Sequence, residues 1–417
     1  MPDFSCLAEN YVVPADFKLT GINLNELVIG PTGCGKTWSN AFSRLLHTYE
    51  SSVVIPLAKK SLKDRFAKMF KDRGYQVMEL DFVNPKKSTV TYDPMDFIYS
   101  DEDVIQLAKN LIGVTPSQNR DGSMDPYWND SATSVLAAEI GLIRLNAMYA
   151  EKRPSIVDVI KLHRSLTTNG ESNLSTNLDM LFDQAAAIYP GCQPPELWKT
   201  IRGLAPKTAS CILSIVNGAL DKVFGPNIID MTQNKKRISF KKLGEKRIAL
   251  FITTSPMNTS LQNLVNILYA DMFRELFNAA ESTSEGRLKV PVHIICDDFA
   301  CTGRISEFDS YISIFRAAGI SVTLLLQSET QLVTMYGENA STTIINNCDT
   351  YIYMGGMDSR TCRNVSEKIN KPVSKVMSMP LEHVMVFRRG KEPIETKRYQ
   401  ILNDPLFKEL MQSEPAN

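Results

Sequence analysis

The chain has 417 residues, 43% hydrophobic and 22% charged, a size and composition that suit a globular protein of two domains. Lys+Arg and Asp+Glu number 46 each, which excludes a uniformly basic protein, so any nucleic-acid surface has to be a local patch. Eight cysteines (Cys6, Cys34, Cys192, Cys211, Cys296, Cys301, Cys348, Cys362) form no CxxC pair, and four histidines (His47, His163, His293, His383) form no HExxH or paired-ligand pattern. That pattern suggests reduced cytosolic thiols rather than disulfides, and ordinary packed or surface histidines rather than zinc ligands.

Met1-Pro2-Asp3-Phe4 lacks the basic start and apolar core of a signal peptide. The longest apolar runs, Ala209–Leu220 and Ala317–Leu326, fall short of the roughly 18 residues a membrane span needs. A soluble chain is the expectation.

The first informative element is an apolar run at residues 24–29, predicted as a buried strand and followed at once by Gly30-Pro31-Thr32-Gly33-Cys34-Gly35-Lys36-Thr37. Strand, then GxxxxGK[ST], then helix is the arrangement of a phosphate-binding P-loop. Glycines at 30, 33 and 35 let the backbone curl so that successive N–H groups face a β-phosphate. Lys36 then reaches the β- and γ-phosphates, and the Thr37 hydroxyl is suited to ligate Mg²⁺. A helix predicted from about Thr37 to Tyr49 aims its positive end at the same anion. A nucleoside triphosphate with Mg²⁺ is the expected ligand.

Next come short buried strands at 52–57 and 75–82, with a helical pattern over Lys60–Arg73 between them. That helix has a basic face (Lys63, Arg65, Lys68, Lys71, Arg73), read either as a solvated face or as a contact for an anionic partner. From about Asp101 to Asn217 the spacing turns helical throughout, with Val104, Leu107, Ala108 and Leu111, then Ala132, Val135, Leu136, Ile140 and Ile143. Prolines 154, 190, 194 and 195 and the polar stretch Thr167–Thr176 punctuate it. Strand patterns return at 247–254, 292–296, 320–326 and 350–354. The last fifteen residues read as a surface helix and frayed tail. The organisation is an α/β core with a mainly parallel sheet, split by an all-α insertion. Residues 1–100 form the first part of a nucleotide-binding domain, 101–225 the insertion and 226–417 the second part. The insertion accounts for the long separation between Lys36 and the acidic residues described next.

Hydrolysis needs a carboxylate on a neighbouring strand, and His293-Ile294-Ile295-Cys296-Asp297-Asp298 supplies a strand that ends in two. Asp297 is assigned to the Mg²⁺ shell and Asp298 to orienting or deprotonating the attacking water. Adjacent residues on an ending strand point differently, so the two are not equivalent ligands. Gln327 closes the apolar strand Leu324-Leu325-Leu326, where a buried amide is costly unless it faces a ligand. It is a candidate γ-phosphate sensor. Arg316, just before that strand, is either a local salt-bridge partner or a finger reaching a neighbouring subunit's nucleotide.

These residues carry a resemblance to the type IV secretion coupling proteins, the conjugative DNA-transfer ATPases, which are similar in turn to RecA-like DNA translocases. The resemblance runs over roughly residues 20–400. After the P-loop come Thr91-Tyr92-Asp93-Pro94-Met95, Asp125-Pro126-Tyr127-Trp128 and Asp297-Asp298-Phe299-Ala300 with Gly303. Then follow Arg316 to Ile320, Gln327-Ser328-Glu329-Thr330-Gln331-Leu332, Tyr336-Gly337 and Ile345-Asn346-Asn347-Cys348. The resemblance implies a P-loop RecA-like fold, Arg316 as an inter-subunit finger and Gln327 as the sensor. It also implies hexameric rings on DNA and a helical insertion facing the DNA-processing complex. Arg360 matches a further stretch shared with the translocases, with a structural salt bridge as the alternative. The implied partners are relaxase-bound DNA and components of the type IV secretion channel.

Three features depart from the pattern. Asp298 stands where the family usually has Glu, and one methylene less moves the base. Ile55-Pro56-Leu57-Ala58-Lys59-Lys60 replaces the usual Asp-Pro-Lys-Gly after the second strand. Most members begin with a transmembrane region, which this sequence lacks, so an excised soluble part or a subgroup docking on a separate membrane partner is expected. The implied location is the cytoplasm, peripheral to the inner face of the bacterial membrane. Two further readings stand beside the coupling ATPase: a chromosome- or phage-type DNA translocase, and a nucleotide-gated substrate receptor with little hydrolysis.

Overall fold

The computed structural model describes residues 2–56, 60–113, 126–167, 174–234, 236–254, 259–301 and 304–412. Asp125, Gly303, Leu57-Ala58-Lys59, most of the polar stretch 167–176 and the final five residues lie outside them. By contacts the chain divides into two compact units. One comprises Met1–Thr89, Ser239–Met257 and Met272–Asn417; the other comprises Val90–Ile238 and Asn258–Asp271.

The first unit is built on strands β1 (Phe4–Ala8), β2 (Tyr11–Pro14), β3 (Glu26–Ile29), β4 (Ser52–Pro56), β5 (Gln76–Asp81), β6 (Ile248–Thr253), β7 (Val292–Cys296), β8 (Ile320–Leu326), β9 (Thr350–Tyr353), β10 (His383–Arg388) and β11 (Ile394–Lys397). β1 and β2 pair as an antiparallel hairpin. Among the described residues the other nine form one sheet in the order β11-β10-β9-β3-β8-β7-β4-β6-β5. The seven from β9 to β5 run parallel, and β10 and β11 close one edge antiparallel. The apolar runs explain this layout. β3, β6, β7 and β8 are buried at every residue, as a parallel sheet covered on both faces requires. Each buried Val, Leu or Ile in them contributes about 1.5–3 kcal/mol relative to exposure. The architecture is α/β with a mainly parallel sheet, as the sequence leads one to expect.

The helix after the P-loop opens with a π-type turn at Thr37–Phe42 and continues as an α-helix over Ser43–Leu46. Phe42, Leu45 and Leu46 recur at i, i+3 and i+4, so they share one face. That face enters a cluster with Phe66, Phe70, Phe251 and Phe407. Phe42→Ala would cost about 3–5 kcal/mol there, which ties the phosphate loop's position to the core.

The basic helix Lys60–Asp72 is neither a bare solvated face nor a free anion contact. Lys63 is almost fully buried and ion-paired with Glu79. Arg65 donates to the carbonyls of Leu410 and Met411, at 3.1 and 2.9 Å. Arg73 donates to the Thr48 carbonyl at 2.8 Å and lies over the Tyr49 ring. These cations hold the first unit's own segments together.

The second unit is helical. Its elements include Asp101–Ile112, Pro126–Tyr149, Ile156–Thr167, Leu174–Ile188, Pro206–Val223 and Pro226–Asn234. Ser100 and Asp103 form a reciprocal capping box at the start of the first. The Tyr92-Asp93-Pro94 stretch has a structural job here. Fully buried Asp93 accepts from Met95 N–H, Ser155 Oγ and Ile156 N–H, and pairs with Arg237 at 3.1 Å. Arg237 also reaches Asp96 at 2.6 Å. Deeper in, His163 bonds Glu139 at 2.9 Å and the Leu213 carbonyl at 3.1 Å, with both side chains fully enclosed.

Candidate functional site

β3 delivers the P-loop. The Gly30 N–H donates to the Leu326 carbonyl at 3.1 Å, carrying the β3–β8 ladder one step further before the loop turns away. Gly33 and Gly35 then take φ of +83° and +93°, a region where a side chain is strained. At Gly30 the constraint is space, because a Cβ would stand 2.7 Å from Cys34 Sγ and 2.9 Å from Met354 Cβ.

Lys36 is nearly buried, and its ammonium donates to the Gly30 carbonyl at 2.6 Å and the Pro31 carbonyl at 3.0 Å. A buried cation needs such partners. Both lie on the loop itself, so the charge is held at the loop's centre. Thr37, the next residue, begins the helix.

The order β3-β8-β7 sets one strand between the P-loop strand and the strand ending at Asp297. Even so, Thr37 Oγ1 donates to both Asp297 carboxylate oxygens, each at 3.0 Å, although the residues lie 260 positions apart. The Asp297 carboxyl is held above its ordinary pKa, first by burial and further by neighbouring Asp298; the Thr37 hydrogen bond and Lys36 oppose the rise. A hydroxyl beside a partly desolvated carboxylate is a hard-oxygen pair of the kind that suits Mg²⁺.

Asp298 is exposed and sits at φ +48°. Aspartate is among the few residue types that visit this region, at a cost of about 1 kcal/mol. The turn is held from behind: Phe299 is fully buried and stacks on Tyr336, whose hydroxyl accepts from the Ile305 N–H. Tyr336, read from the sequence only as part of a motif, thus supports the acidic turn.

Gln327 follows β8 directly and stands between the P-loop and the Asp297 turn. The residue is exposed, and its N–H donates to Gln331 Oε1 at 2.8 Å. The expectation of a buried, costly amide is corrected: β8 is buried through Leu326 and surfaces at Gln327. Position in the strand row, rather than burial, brings it near the loop.

Arg316 lies elsewhere. It is exposed, in the last turn of the helix Phe308–Ala318 that leads into β8, and donates to the Gly21 carbonyl at 2.9 Å. It therefore sits at the N-terminal end of β8, while the P-loop sits at the C-terminal ends of the strands. Seven residues of strand separate those ends by roughly 20 Å, so Arg316 does not join Lys36 and Asp297 within one chain. Arg360 pairs bidentately with exposed Glu338, both contacts at 2.6 Å. Tyr127 and Trp128 meet edge to face at the start of their helix.

A cation that the sequence reading missed does reach the loop. Arg398, directly after β11, donates to the Cys34 carbonyl at 2.5 Å. The two residues are 364 positions apart, so no local pattern could have announced the contact. Trp38 joins the same end of the chain, edge to face with Phe407 at 5.8 Å.

The sheet order and glycine-rich loop define a P-loop protein with a RecA-like α/β core. A family profile described as Type IV secretory system Conjugative DNA transfer matches residues 15–378, and the chain belongs to that family. Among solved structures, the bacterial conjugative coupling protein TrwBdeltaN70 in complex with sulphate superposes with a TM-score of 0.63. It is 18% identical, over 90% of this chain and 85% of that one. Plasmid coupling protein TrwB in complex with ADP and Mg²⁺ gives 0.60 at 17% identity, again over 90% and 85%. VirB4 of Thermoanaerobacter pseudethanolicus gives 0.54 at 9% identity, over 91% and 90%. Identities this low speak for the fold alone. No curated protein matches the chain in sequence.

Proposed function

We propose that the chain is an ATP-binding and hydrolysing coupling protein that recruits or translocates relaxase-bound DNA to a type IV secretion channel. The observation that carries this reading is the Thr37–Asp297 contact at the mouth of the P-loop. Membership in the conjugative DNA transfer family supplies the cellular context. TrwB, the structural neighbour, has been solved with ADP and Mg²⁺ and with a non-hydrolysable ATP analogue, which favours the same ligands here.

The residues fit ATP·Mg²⁺. Gly33 and Gly35 keep the loop open to backbone approach, and Thr37 with Asp297 supplies hard oxygen donors. Mg²⁺, when bound, neutralises charge on the phosphate oxygens. On this reading Lys36 exchanges its two carbonyl partners for β- and γ-phosphate oxygens. Gly30, Pro31, Thr32, Gly33, Cys34 and Gly35 wrap the phosphates with backbone N–H groups. Asp298 accepts the proton of the attacking water as the new P–O bond forms and the bond to the bridging oxygen breaks, while Gln327 orients that water. Arg316, at the far end of β8, acts on the nucleotide of a neighbouring subunit in a hexameric ring. The all-α segment 101–225 faces the DNA-processing partners. Among the described residues no helix is long and apolar enough to cross a membrane; attachment at the membrane would come through a separate membrane partner or through an anchor outside this sequence.

The test is DNA-stimulated ATP hydrolysis under ring-forming conditions. The motor reading predicts stimulation, and a flat rate overturns it. The nucleotide-gated receptor is favoured by one observation, the short Asp298 side chain held exposed at positive φ. Under that reading, Lys36→Ala protein recruits relaxase-bound DNA less well although the wild-type chain hydrolyses ATP only slowly.

A further inference from the structure

We propose that Arg398 is a second cationic ligand for the nucleotide's polyphosphate, supplied by the same subunit and released from the Cys34 carbonyl when nucleotide arrives. The proposal rests on the P-loop being a nucleotide site. Its basis is a guanidinium held at that loop without a carboxylate.

β11 pairs with β10 through His383↔Lys397, and the Arg398 N–H continues the pairing by donating to the Glu382 carbonyl at 2.8 Å. The backbone is thereby fixed and only the side chain is free to move. That side chain extends to the P-loop and places Nη1 2.5 Å from the Cys34 carbonyl oxygen. A Cβ at residue 35 would lie 2.8 Å from Arg398 Nη1 and 3.5 Å from its Cζ. The guanidinium thus lies against the one glycine between Cys34 and Lys36.

Among the described residues no Asp or Glu pairs with Arg398. Arg237, Arg153, Arg202 and Arg360 meet carboxylates, whereas Arg398, like Arg65, Arg73 and Arg316, meets a carbonyl. Arg398 is partly buried, offers five N–H donors in a planar fork, and uses a neutral carbonyl at one of them. A guanidinium with donors to spare, beside a loop shaped for phosphate, is matched to a polyanion.

The contact has mechanical backing. Past Arg398, the helix Pro405–Gln412 packs Phe407 on Trp38, and the carbonyls of Leu410 and Met411 accept from Arg65. The helix Pro405–Gln412 therefore packs on the phosphate loop's helix through Trp38, and is held to Lys60–Asp72 through Arg65, independently of Arg398. Moving the guanidinium from Cys34 to a phosphate need not unfold that segment.

The test measures ADP and ATP affinity, with Mg²⁺, for wild type, Arg398→Ala, Arg398→Lys and Lys36→Ala, alongside each protein's nucleotide-free melting temperature. The expected result for Arg398→Ala is affinity weakened roughly 10- to 100-fold with an unchanged nucleotide-free melting temperature. Arg398→Lys should recover part of the loss, and the salt dependence of binding should flatten in Arg398→Ala. Unchanged affinity in Arg398→Ala overturns the proposal and leaves Arg398 a structural latch. So does a loss of affinity that Arg398→Lys leaves unrepaired and that tracks a lowered melting temperature. Lys36→Ala separates the two readings. If it binds as tightly as wild type, the nucleotide site itself is misread; if it fails to bind while Arg398→Ala binds normally, only the Arg398 proposal falls.

Discussion

The two ends of the central sheet differ in kind. At the C-terminal ends of the strands, Lys36, Thr37, Asp297 and Gln327 converge, and Arg398 reaches in from the antiparallel edge. Cations there are held by carbonyls rather than carboxylates. At the N-terminal end, Arg316 is exposed and donates to the Gly21 carbonyl at 2.9 Å, and Arg287 lies over the Phe17 ring. Arg287 is held below its ordinary pKa, first by burial and then by the like charge of Arg316, with acidic Asp16 opposing. A nucleotide seated on the P-loop would lie roughly a strand's length from these arginines. One end therefore carries the proposed nucleotide site, and the other is a cationic surface proposed to meet the nucleotide of another copy of the chain.

Substitutions that treat the ends separately should break this comparison if it is wrong. The largest effect belongs to Lys36→Ala, which removes the charge at the centre of the loop and should abolish measurable nucleotide binding and turnover, read by calorimetry and phosphate release. Arg316→Ala comes next: turnover should fall on the order of 10³-fold, while the nucleotide affinity of the isolated chain stays within about twofold. An equal loss of affinity would put Arg316 beside its own subunit's nucleotide, contrary to the geometry. Asp298→Asn should lower turnover by about 100-fold or more with affinity nearly kept. Asp298→Glu should raise turnover if reach limits the base; no change would show that the short side chain is not limiting.

The smallest effect lies in the helical unit and serves as a control away from both ends. Burial pushes the Glu139 carboxyl up, opposed by the His163 hydrogen bond. The His163 imidazole is also raised, because the hydrogen bond and charge of Glu139 outweigh the opposing effect of burial. Folded protein thus holds protons on this pair more tightly than unfolded chain does. The stabilisation is fully present below the unfolded-state values and is lost as pH rises through the raised ones. Amide-exchange protection in Ile156–Thr167 should fall between mildly acidic and mildly alkaline pH. Glu139→Gln should flatten that trend without altering nucleotide affinity.

Much of this was legible from local pattern. The P-loop, the strand ending at Asp297 and the helical stretch each show themselves over a few neighbouring residues, so the α/β class and family resemblance followed. The β1–β2 hairpin was missed because its strands are short. β10 and β11 were missed because β11 is mostly exposed and Ile394-Glu395-Thr396-Lys397 carries no alternating apolar face. The basic face of Lys60–Asp72 misled for another reason: partners such as Leu410 and Glu79 come from other segments, and charge alone does not reveal them. Gln327 was given a burial it lacks, since the apolar run before it says nothing about where β8 surfaces. Arg398 depends on a contact made only after the sheet is assembled.

The central claim is that a working site combines the C-terminal end of one sheet with the N-terminal end of another. Mixing Lys36→Ala with Arg316→Ala protein tests it most directly. Each variant alone should be inactive in DNA-stimulated ATP hydrolysis, and co-assembly should restore activity by pairing an intact loop with an intact Arg316 from its neighbour. If co-assembled rings, verified by native mass spectrometry, stay as inactive as either variant alone, the two-subunit account is contradicted.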